Sequence, residues 1–448
     1  MPNLLLLQSD EHCAAVSSIY GHPRVHTPNM ERLARMGTVY DAAYCPSPLC
    51  LPSRSAYMAG RHVHQIQCYS NCNQGLADFP SYGRQLAQSG VHSVHVGKTD
   101  VYRPGAELGF SEMLLPRDRA VPGDTNHGRT PLSIRQGAAA RANGFGPRED
   151  AGAGDLQVVD RALEWLREEA ASLSDPWVLS VQVTNPHFPH YTSPELWAEY
   201  ADAGDLADHG ADVASARHPY ACDLRAHFET EQFTEEQVRG LRRGYLGCVT
   251  FVDRQLGRLL DELEATGQLN GTVVAYTSDH GDMLGRFGMW WKCSLYEPSV
   301  RVPLVVAGPG FESGSRSTTP VSLLDLQATT FAATDAQRPS GWRGQPLQGL
   351  RPDDDQRVAF AEYHGHGTRS GAYMVRRGTW KLIYCMEAPH LLFDLEADPD
   401  ELDNRYDARP DVAASLEAEL RRICDPEAEN TRAHQFEREQ LAAIDASG

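Results

Sequence analysis

Cys50 begins a short motif whose residue types suit the binding of an anion, Cys-Leu-Pro-Ser-Arg over residues 50–54. The motif and the residues up to Arg61 predict a loop that turns into a helix, with Cys50 at or near the helix N-terminus. Backbone N–H groups and the positive end of the helix dipole favour an anion there. Arg54 would add a permanent cation one turn further on, in a shape that suits a tetrahedral oxyanion. The alternative is a buried structural cysteine followed by an ordinary surface arginine.

Asp10 follows the short apolar run Asn3–Ser9, which is typical of a buried parallel strand. In open α/β sheets, ligands bind beyond the carboxyl ends of the strands. Asp10 is therefore a candidate metal ligand, and the alternative is a loop carboxylate in solvent. Three further predicted strands also run into polar residues, namely His92–Gly97, Trp177–Val183 and Gly271–Ser278.

Helices are predicted between these strands from apolar residues spaced three or four apart, at Pro28–Met36, Asp155–Ala170 and Thr234–Gly267. Gly37 is predicted to be the glycine that ends the first of them, and the polar stretch Pro122–Gly154 is predicted to be mobile. Residues 339–355 are polar and rich in Pro and Gly, which indicates a boundary between domains 1–350 and 351–448. The second domain is predicted to hold short alternating strands, the helix Pro410–Ile423 and a charged helical tail. The tail could either pack on the body or mediate oligomerisation.

The composition excludes several classes of protein. The 448 residues carry a net charge of −19, which argues against binding to nucleic acid or to an anionic membrane. Ten cysteines without zinc-type spacing indicate neither a disulfide framework nor a structural zinc site. Met1-Pro2-Asn3 leads directly into four leucines without a basic region or a long apolar run, so a cytoplasmic enzyme is expected.

The motif at Cys50, followed by Gly60-Arg61, resembles the signature of the type I, formylglycine-dependent sulfatases of the alkaline phosphatase superfamily. Asp279-His280-Gly281 is similar to a second motif of that superfamily. The resemblance implies a large mixed, mostly parallel sheet sandwiched by helices, with a smaller C-terminal α+β domain. It also implies that a formylglycine-generating enzyme oxidises Cys50 to the aldehyde formylglycine (3-oxoalanine), whose hydrate is the nucleophile.

A divalent metal ion is also implied by the resemblance, with Asp10, Cys50, Asp279 and His280 as its ligands. Oxygen-rich ligation favours Ca²⁺, with Mg²⁺ as an alternative, and the imidazole of His280 leaves Mn²⁺ or Zn²⁺ open.

The same resemblance assigns roles to the polar residues outside the metal site. Lys98, Lys292 and Arg54 would neutralise the sulfuryl oxygens. Asn71 would contact the sulfate, unless it is simply a turn asparagine. His187, in the context Asn-Pro-His-x-Pro, would protonate the leaving alcohol.

Three neighbouring residues complicate that assignment. His190 lies near His187 and could be mistaken for it. Sulfatases usually show Asp-Asp where this chain has Asp10-Glu11, so a ligand role for Glu11 stays open. A histidine that acts as a base in the family is replaced by Asp100, which is predicted to be a weaker base unless burial raises its pKa.

Several departures, Asp100 and the late segment His434–Gln440 among them, resemble the arylsulfatase K branch of the family, which acts on 2-O-sulfated glucuronate. The sequence therefore predicts a sulfatase for a small sulfate ester, such as a sulfated sugar, possibly a 2-O-sulfated uronate, or an aryl sulfate in vitro. One alternative is a phosphonate monoester hydrolase or phosphodiesterase, which tends to have Tyr-x-Thr in place of Lys98-x-Asp100. The other is a non-catalytic anion-binding homologue in which Cys50 stays a thiol.

Overall fold

A computed structural model describes residues 1–447. Its strands are β1 Asn3–Asp10, β2 Gly37–Tyr40, β3 Ala43–Tyr44, β4 His92–Lys98, β5 Glu112–Arg117, β6 Phe145–Pro147, β7 Trp177–Pro186, β8 His190–Thr192, β9 Thr272–Ser278, β10 Leu304–Ala307, β11 Ser315–Ser317, β12 Val321–Ser322, β13 Val358–Tyr363, β14 Ala372–Arg377, β15 Trp380–Cys385 and β16 Leu391–Asp394. Its α-helices are α1 Pro28–Met36, α2 Cys50–Ala59, α3 Val63–Ile66, α4 Tyr82–Gln88, α5 Ala138–Ala142, α6 Ala153–Glu168, α7 Pro194–Glu199, α8 Pro219–Phe228, α9 Glu235–Ala265, α10 Glu297–Val300, α11 Leu323–Ala333, α12 Pro410–Ile423 and α13 Pro426–Ser447.

Eight strands form the main sheet in the order β11-β2-β10-β9-β1-β7-β4-β5. The strand β1 lies at its centre and pairs in parallel with β7 and β9, and β10 runs antiparallel to both of its neighbours. The carboxyl ends of β1, β4, β7 and β9 therefore meet at one edge of the sheet, which is where ligands bind in open α/β sheets.

Helices cover both faces of this sheet because residues along β1 alternate between two hydrophobic cores. Leu5 and Leu7 pack in the core that α1, α6 and α9 complete. Leu4 and Leu6 pack in the core on the opposite face, to which α2 and α11 contribute. The predicted class, an α/β fold with a mostly parallel sheet sandwiched by helices, is confirmed.

Gly37, the glycine after α1, has a different structural role from the predicted one, which was to end the helix. Gly37 has an extended backbone and begins β2, so it is not a left-handed residue that ends the helix. A Cβ atom at this position would lie 2.1 Å from the carbonyl oxygen of Val306. The position requires glycine because two strands approach closely there.

A second, four-stranded antiparallel sheet holds β13, β14, β15 and β16. One of its faces packs on α12, and the other joins the core beneath the main sheet. The amino group of Lys381, on β15, is fully buried between Glu297 and Glu401, at 2.8 Å from each carboxylate. Because this sheet shares a core with the body, the division of the chain at residue 350 remains a prediction.

The last helix, α13, packs on the body, which was one of the two roles left open for the tail. Gln440 donates to the carbonyl oxygens of Cys72 and Gln74, at 3.4 and 2.7 Å. Glu437 accepts from the backbone N–H of Arg129 at 2.9 Å. The helix therefore holds two segments that lead to the site described below. Among the described residues, no helix is both long and apolar enough to cross a bilayer.

Candidate active site

Four buried side chains converge at the carboxyl edge of the main sheet. Asp10 is the last residue of β1, Asp279 and His280 directly follow β9, and Cys50 is the first residue of α2. One ligand atom from each of the four lies within 4.8 Å of the others. The Nε2 atom of His280 is 3.2 Å from the Cys50 sulfur and 3.6 Å from a carboxylate oxygen of Asp10. These are the four residues that the sequence predicts as metal ligands.

The electrostatics of this cluster suit a divalent cation. Burial and the neighbouring Asp10 carboxylate raise the pKa of Asp279, although Arg54 opposes the shift. Burial would also raise the pKa of Asp10, but Lys98, His187 and Arg54 lower it well below its usual value. Two carboxylates and an imidazole in one buried cluster form a donor set for Ca²⁺, Mg²⁺ or Mn²⁺, and the residues therefore fit such an ion.

Arg54 lies behind the cluster. Its Nε donates to Asp279 at 2.7 Å and one Nη donates to Gln182 at 2.8 Å. Its other Nη lies 3.6 Å from Asp10. The guanidinium is thus bound to the carboxylates of the cluster and does not line the cavity in front of Cys50. Its part in neutralising the sulfuryl oxygens stays a prediction.

Cys50 sits at the helix start, as predicted, and is 1% exposed. Burial and Asp10 raise the pKa of its thiol, but Lys292, Lys98 and His280 outweigh them and bring it well below the usual value. The next backbone N–H, that of Leu51, donates to the side-chain oxygen of Asn71 at 3.1 Å. Asn71 therefore caps the first turn of α2 while also lining the cavity in front of Cys50.

Lys98 ends β4 and links the cluster to the cavity. Its amino group contacts a carboxylate oxygen of Asp10 and lies 3.5 Å from Asp100. Asp100 is buried, and both of its carboxylate oxygens accept hydrogen bonds from Arg119, at 2.5 and 2.7 Å. Burial would raise the pKa of Asp100, yet Lys98 and Arg119 lower it to about 2. The sequence argument that burial would make Asp100 a better base is therefore wrong for this environment.

Glu11, His187 and Lys292 form a second polar group beside the cluster. The Lys292 amino group lies 2.9 Å from Glu11 Oε2 and 2.6 Å from His187 Nε2. His187 Nδ1 contacts the carbonyl oxygen of Phe188 at 2.6 Å, which identifies Nδ1 as the protonated nitrogen and Nε2 as an acceptor. Glu11 thus contacts the Lys292 cation and His187. Its carboxylate also lies within 4.8 Å of ligand atoms of Asp10 and His187, so a role for Glu11 as a metal ligand stays open.

His190 belongs to the structural core. Its Nδ1 contacts the Leu241 carbonyl oxygen at 3.1 Å, and its ring packs edge-on against Tyr245. His187, in contrast, lines a cavity of about 190 Å³ in front of Cys50, together with Lys98, Lys292 and Asn71. The structure therefore brings the four predicted substrate-binding residues to one cavity.

Sequence reasoning missed most of the opposite wall of this cavity, which consists of Arg119, Asp124, Arg135, Arg141, Thr184, Phe188, Phe228, Trp291 and His366. Four of these residues come from the region after β5, which overlaps the stretch predicted only to be mobile. One signal was available, because six arginines lie between residues 117 and 148 of a strongly acidic chain. Such a local excess of positive charge indicates an anion-binding surface.

The fold is shared with solved structures. The phosphonate monoester hydrolase of Agrobacterium radiobacter superimposes with a TM-score of 0.76 at 21% identity, over 94% of this chain and 95% of that one.

The family follows from the sequence comparisons. Residues 2–336 match the family described as "Sulfatase", and residues 285–425 match "N-sulphoglucosamine sulphohydrolase, C-terminal". A choline-sulfatase of Rhizobium meliloti is 30% identical, over 90% of this chain and 82% of the relative. Arylsulfatase K of Danio rerio is 29% identical, over 98% and 87%. The chain therefore belongs to the sulfatase family, whose members hydrolyse sulfate esters, and the resemblance seen in the sequence is confirmed.

Proposed function

We propose that this chain hydrolyses a small sulfate ester, with a formylglycine derived from Cys50 as the source of its nucleophile. The observation that carries this proposal is the position of Cys50, at a helix N-terminus between the Asp10, Asp279 and His280 cluster and the cavity that holds two lysines and a histidine. A formylglycine hydrate carries two hydroxyl groups on one carbon, so that one can attack sulfur and the other can lose its proton to restore the aldehyde and expel sulfate.

Three residues of the cavity would stabilise charge and donate the proton in this reaction. Burial would lower the pKa values of the Lys98 and Lys292 amino groups, but the surrounding anions raise them, which keeps both groups cationic toward the sulfuryl oxygens. His187 would supply the proton for the leaving alcohol from Nε2, the atom that faces Lys292, once that nitrogen, which accepts from Lys292 in this arrangement, has itself taken up a proton.

A divalent ion held by Asp10, Asp279, His280 and the oxygen at position 50 would supply Lewis-acid stabilisation of negative charge. Arg54, behind the carboxylates, fixes their orientation toward such an ion.

The test of the nucleophile is a peptide mass of protein produced together with a formylglycine-generating enzyme. We expect the peptide that contains Cys50 to show the exchange of a thiol for an aldehyde, localised by fragmentation to Cys50 and not to the nearby Cys45. A Cys45→Ser variant is the matched control and should still be converted. A thiol at Cys50 despite a competent modifying enzyme would favour the non-catalytic anion-binding alternative.

The cavity wall favours a leaving group that carries a negative charge, such as a 2-O-sulfated uronate. Arg141 lies over the rings of Phe228 and Phe188, 5.4 and 5.8 Å from their centres. Within residues 1–447 it has no carboxylate partner, whereas Arg135 is paired with Asp124. A free guanidinium attracts a carboxylate and repels a quaternary ammonium group, so choline sulfate is the less suitable ester.

This choice is tested with two substrates. Arg141→Met should lower kcat/KM for a 2-sulfated uronoside roughly tenfold or more, through the lost charge-assisted hydrogen bond. The same variant should leave kcat/KM for a neutral aryl sulfate nearly unchanged. Equal losses on both esters would remove the argument for a carboxylate.

A phosphodiester is the second candidate substrate, because a phosphonate monoester hydrolase shares the fold. A direct comparison of kcat/KM for matched aryl esters decides between the two. A preference for the sulfate ester supports the proposal, and a preference for the phosphonate monoester or phosphodiester overturns it.

A further inference from the structure

Arg119 lines the cavity, is paired with the buried Asp100, and has no part in the proposed reaction as described so far. Nε and one Nη of Arg119 donate to the two carboxylate oxygens of Asp100 in a fork. Asp100 is 2% exposed and its backbone has a φ of 50°, in the left-handed region that side chains other than glycine adopt rarely. Strained backbone of this kind is concentrated at functional sites.

The fork leaves one edge of the guanidinium free. A guanidinium has five N–H groups, and the pair with Asp100 occupies only the edge formed by Nε and Nη2. Within the part of the chain that the structure describes, Nη1 has no hydrogen-bond partner. Arg119 lines the cavity together with Cys50, Lys98 and Asn71, and a quarter of its side chain is exposed. The free edge is therefore available to an oxyanion bound in front of Cys50.

We propose that Arg119 binds the sulfuryl oxygens of the substrate, and that Asp100 is a positioning residue that holds Arg119 and Lys98 and does not accept a proton. The proposal rests on the proposed function, because it assigns a further residue to the same sulfate site.

Three cations surround Asp100, each from a different element, while the Cys68 thiol and, beyond Lys98, the Asp10 carboxylate also lie near. Lys98 approaches from β4, Arg119 from the segment after β5, and Arg54 from α2. These cations keep Asp100 ionised, with a pKa of about 2. A proton on the carboxyl group would replace one acceptor of the fork by a donor and leave Arg119 partly unpaired. Asp100 thus orients a cation with two acceptor oxygens, whereas a neutral histidine at this position would offer one acceptor nitrogen.

The experiment compares Arg119→Met and Asp100→Asn with the wild type in two measurements. Calorimetry with inorganic sulfate should show a Kd raised roughly 10–100-fold in Arg119→Met, since a bidentate charged contact is lost. KM for the sulfate ester should rise in parallel. Asp100→Asn should raise both constants as well, and the effects of the two substitutions should be less than additive in the double variant, because Asp100 acts in part through Arg119.

The opposite hypothesis, that Asp100 is the base for sulfate release, predicts a different signature. Asp100→Asn would then release one equivalent of alcohol in a burst and retain sulfate covalently on the enzyme, visible in the intact mass, while the Kd for sulfate would be unchanged. That result would overturn the proposal. An unchanged Kd for sulfate in Arg119→Met would also overturn it.

Two controls keep the test decisive. Arg35→Met removes an exposed arginine at the end of α1 and should leave the Kd for sulfate at the wild-type value. Arg119→Lys retains the positive charge but not the two-point hydrogen bond to Asp100. It takes the place of Arg119→Met if that variant does not fold. Sulfate binding does not require turnover, so a wild type that binds sulfate but hydrolyses no sulfate ester contradicts the proposed function and leaves the test of Arg119 intact.

Discussion

The two sides of the cavity are built in different ways. On the side of the metal-type cluster, Asp10, Asp279 and Lys98 stand at the ends of the parallel strands β1, β9 and β4, and the core fixes their positions. On the opposite side, Arg119, Arg141 and Phe228 come from loops and short helices that are joined mainly by side-chain contacts. The comparison indicates that the residues at the strand ends are fixed by the core of the sheet, whereas the residues on the loops and short helices can vary without disturbing it.

The largest expected effect breaks the chemistry on the sheet side. Cys50→Ser should abolish multiple turnovers, because a serine hydroxyl can accept the sulfuryl group but has no second hydroxyl with which to expel it. Rapid quench should show at most one equivalent of alcohol per enzyme. Sustained turnover by this variant would contradict the formylglycine mechanism.

The next effect concerns the arginine behind the cluster. Arg54→Met removes the cation between the Asp279 and Asp10 carboxylates, and loss of one partner of a buried ion pair costs about 3–5 kcal/mol of unfolding free energy. Metal affinity or activity should fall roughly 10–100-fold, as is usual when a residue that orients ligands is removed. Denaturant unfolding and a metal titration measure the two quantities. Arg35→Met is the control, and equal stability of both variants would contradict the role given to Arg54.

A smaller effect is expected in the pH dependence of stability, which tests the ionised state of Asp100, the partner of Arg119. The pKa of Asp100 is about 2 in the folded chain, below its ordinary value of 3.8, so its ionised form stabilises the fold by about 2 kcal/mol at neutral pH. Because the pKa is lowered, this contribution is present above pH 4 and is lost as the pH falls from 4 toward 2. Asp100→Asn should therefore be less stable than the wild type at pH 7, with a difference that shrinks over that range. A difference that does not depend on pH would exclude this electrostatic origin.

The smallest effect concerns Asn71, which touches both sides. Asn71→Ala removes the acceptor of the Leu51 N–H and should cost about 1 kcal/mol of stability. Asn71→Asp retains an acceptor and should recover most of that stability, while its added negative charge weakens sulfate binding. Thermal unfolding together with sulfate calorimetry separates the two outcomes, and equal stability of the two variants would contradict the cap.

The sheet side could be predicted from the sequence because its signals are local. An apolar run followed by a polar residue predicts a strand end, and apolar residues spaced three or four apart predict the helix at Thr234–Gly267, which the structure has at Glu235–Ala265. The predicted residues Asp10, Lys98, Asp279 and His280 all lie at strand ends, next to Cys50.

The opposite wall could not be predicted in the same way. Arg119 and Asp100 are 19 residues apart in the sequence. Arg141, on α5, contacts Phe228 at the end of α8, so that no local sequence pattern links the members of either pair. The roles of Gly37 and Glu11 also depend on distant partners, Val306 and Lys292. Such contacts are decided by tertiary packing and leave no periodicity in the sequence.

The central position of β1 in the sheet also determines how early Cys50 can be buried during synthesis of the chain. The two strands that pair with β1 end at residues 186 and 278, so Cys50 stays outside its final environment until β9 has been made. At the usual rates of translation, these further residues take roughly ten to fifty seconds. In the finished fold the side chain is 1% exposed. If Cys50 is converted to formylglycine as proposed, we expect the conversion to take place on the nascent or unfolded chain, because folding buries the thiol.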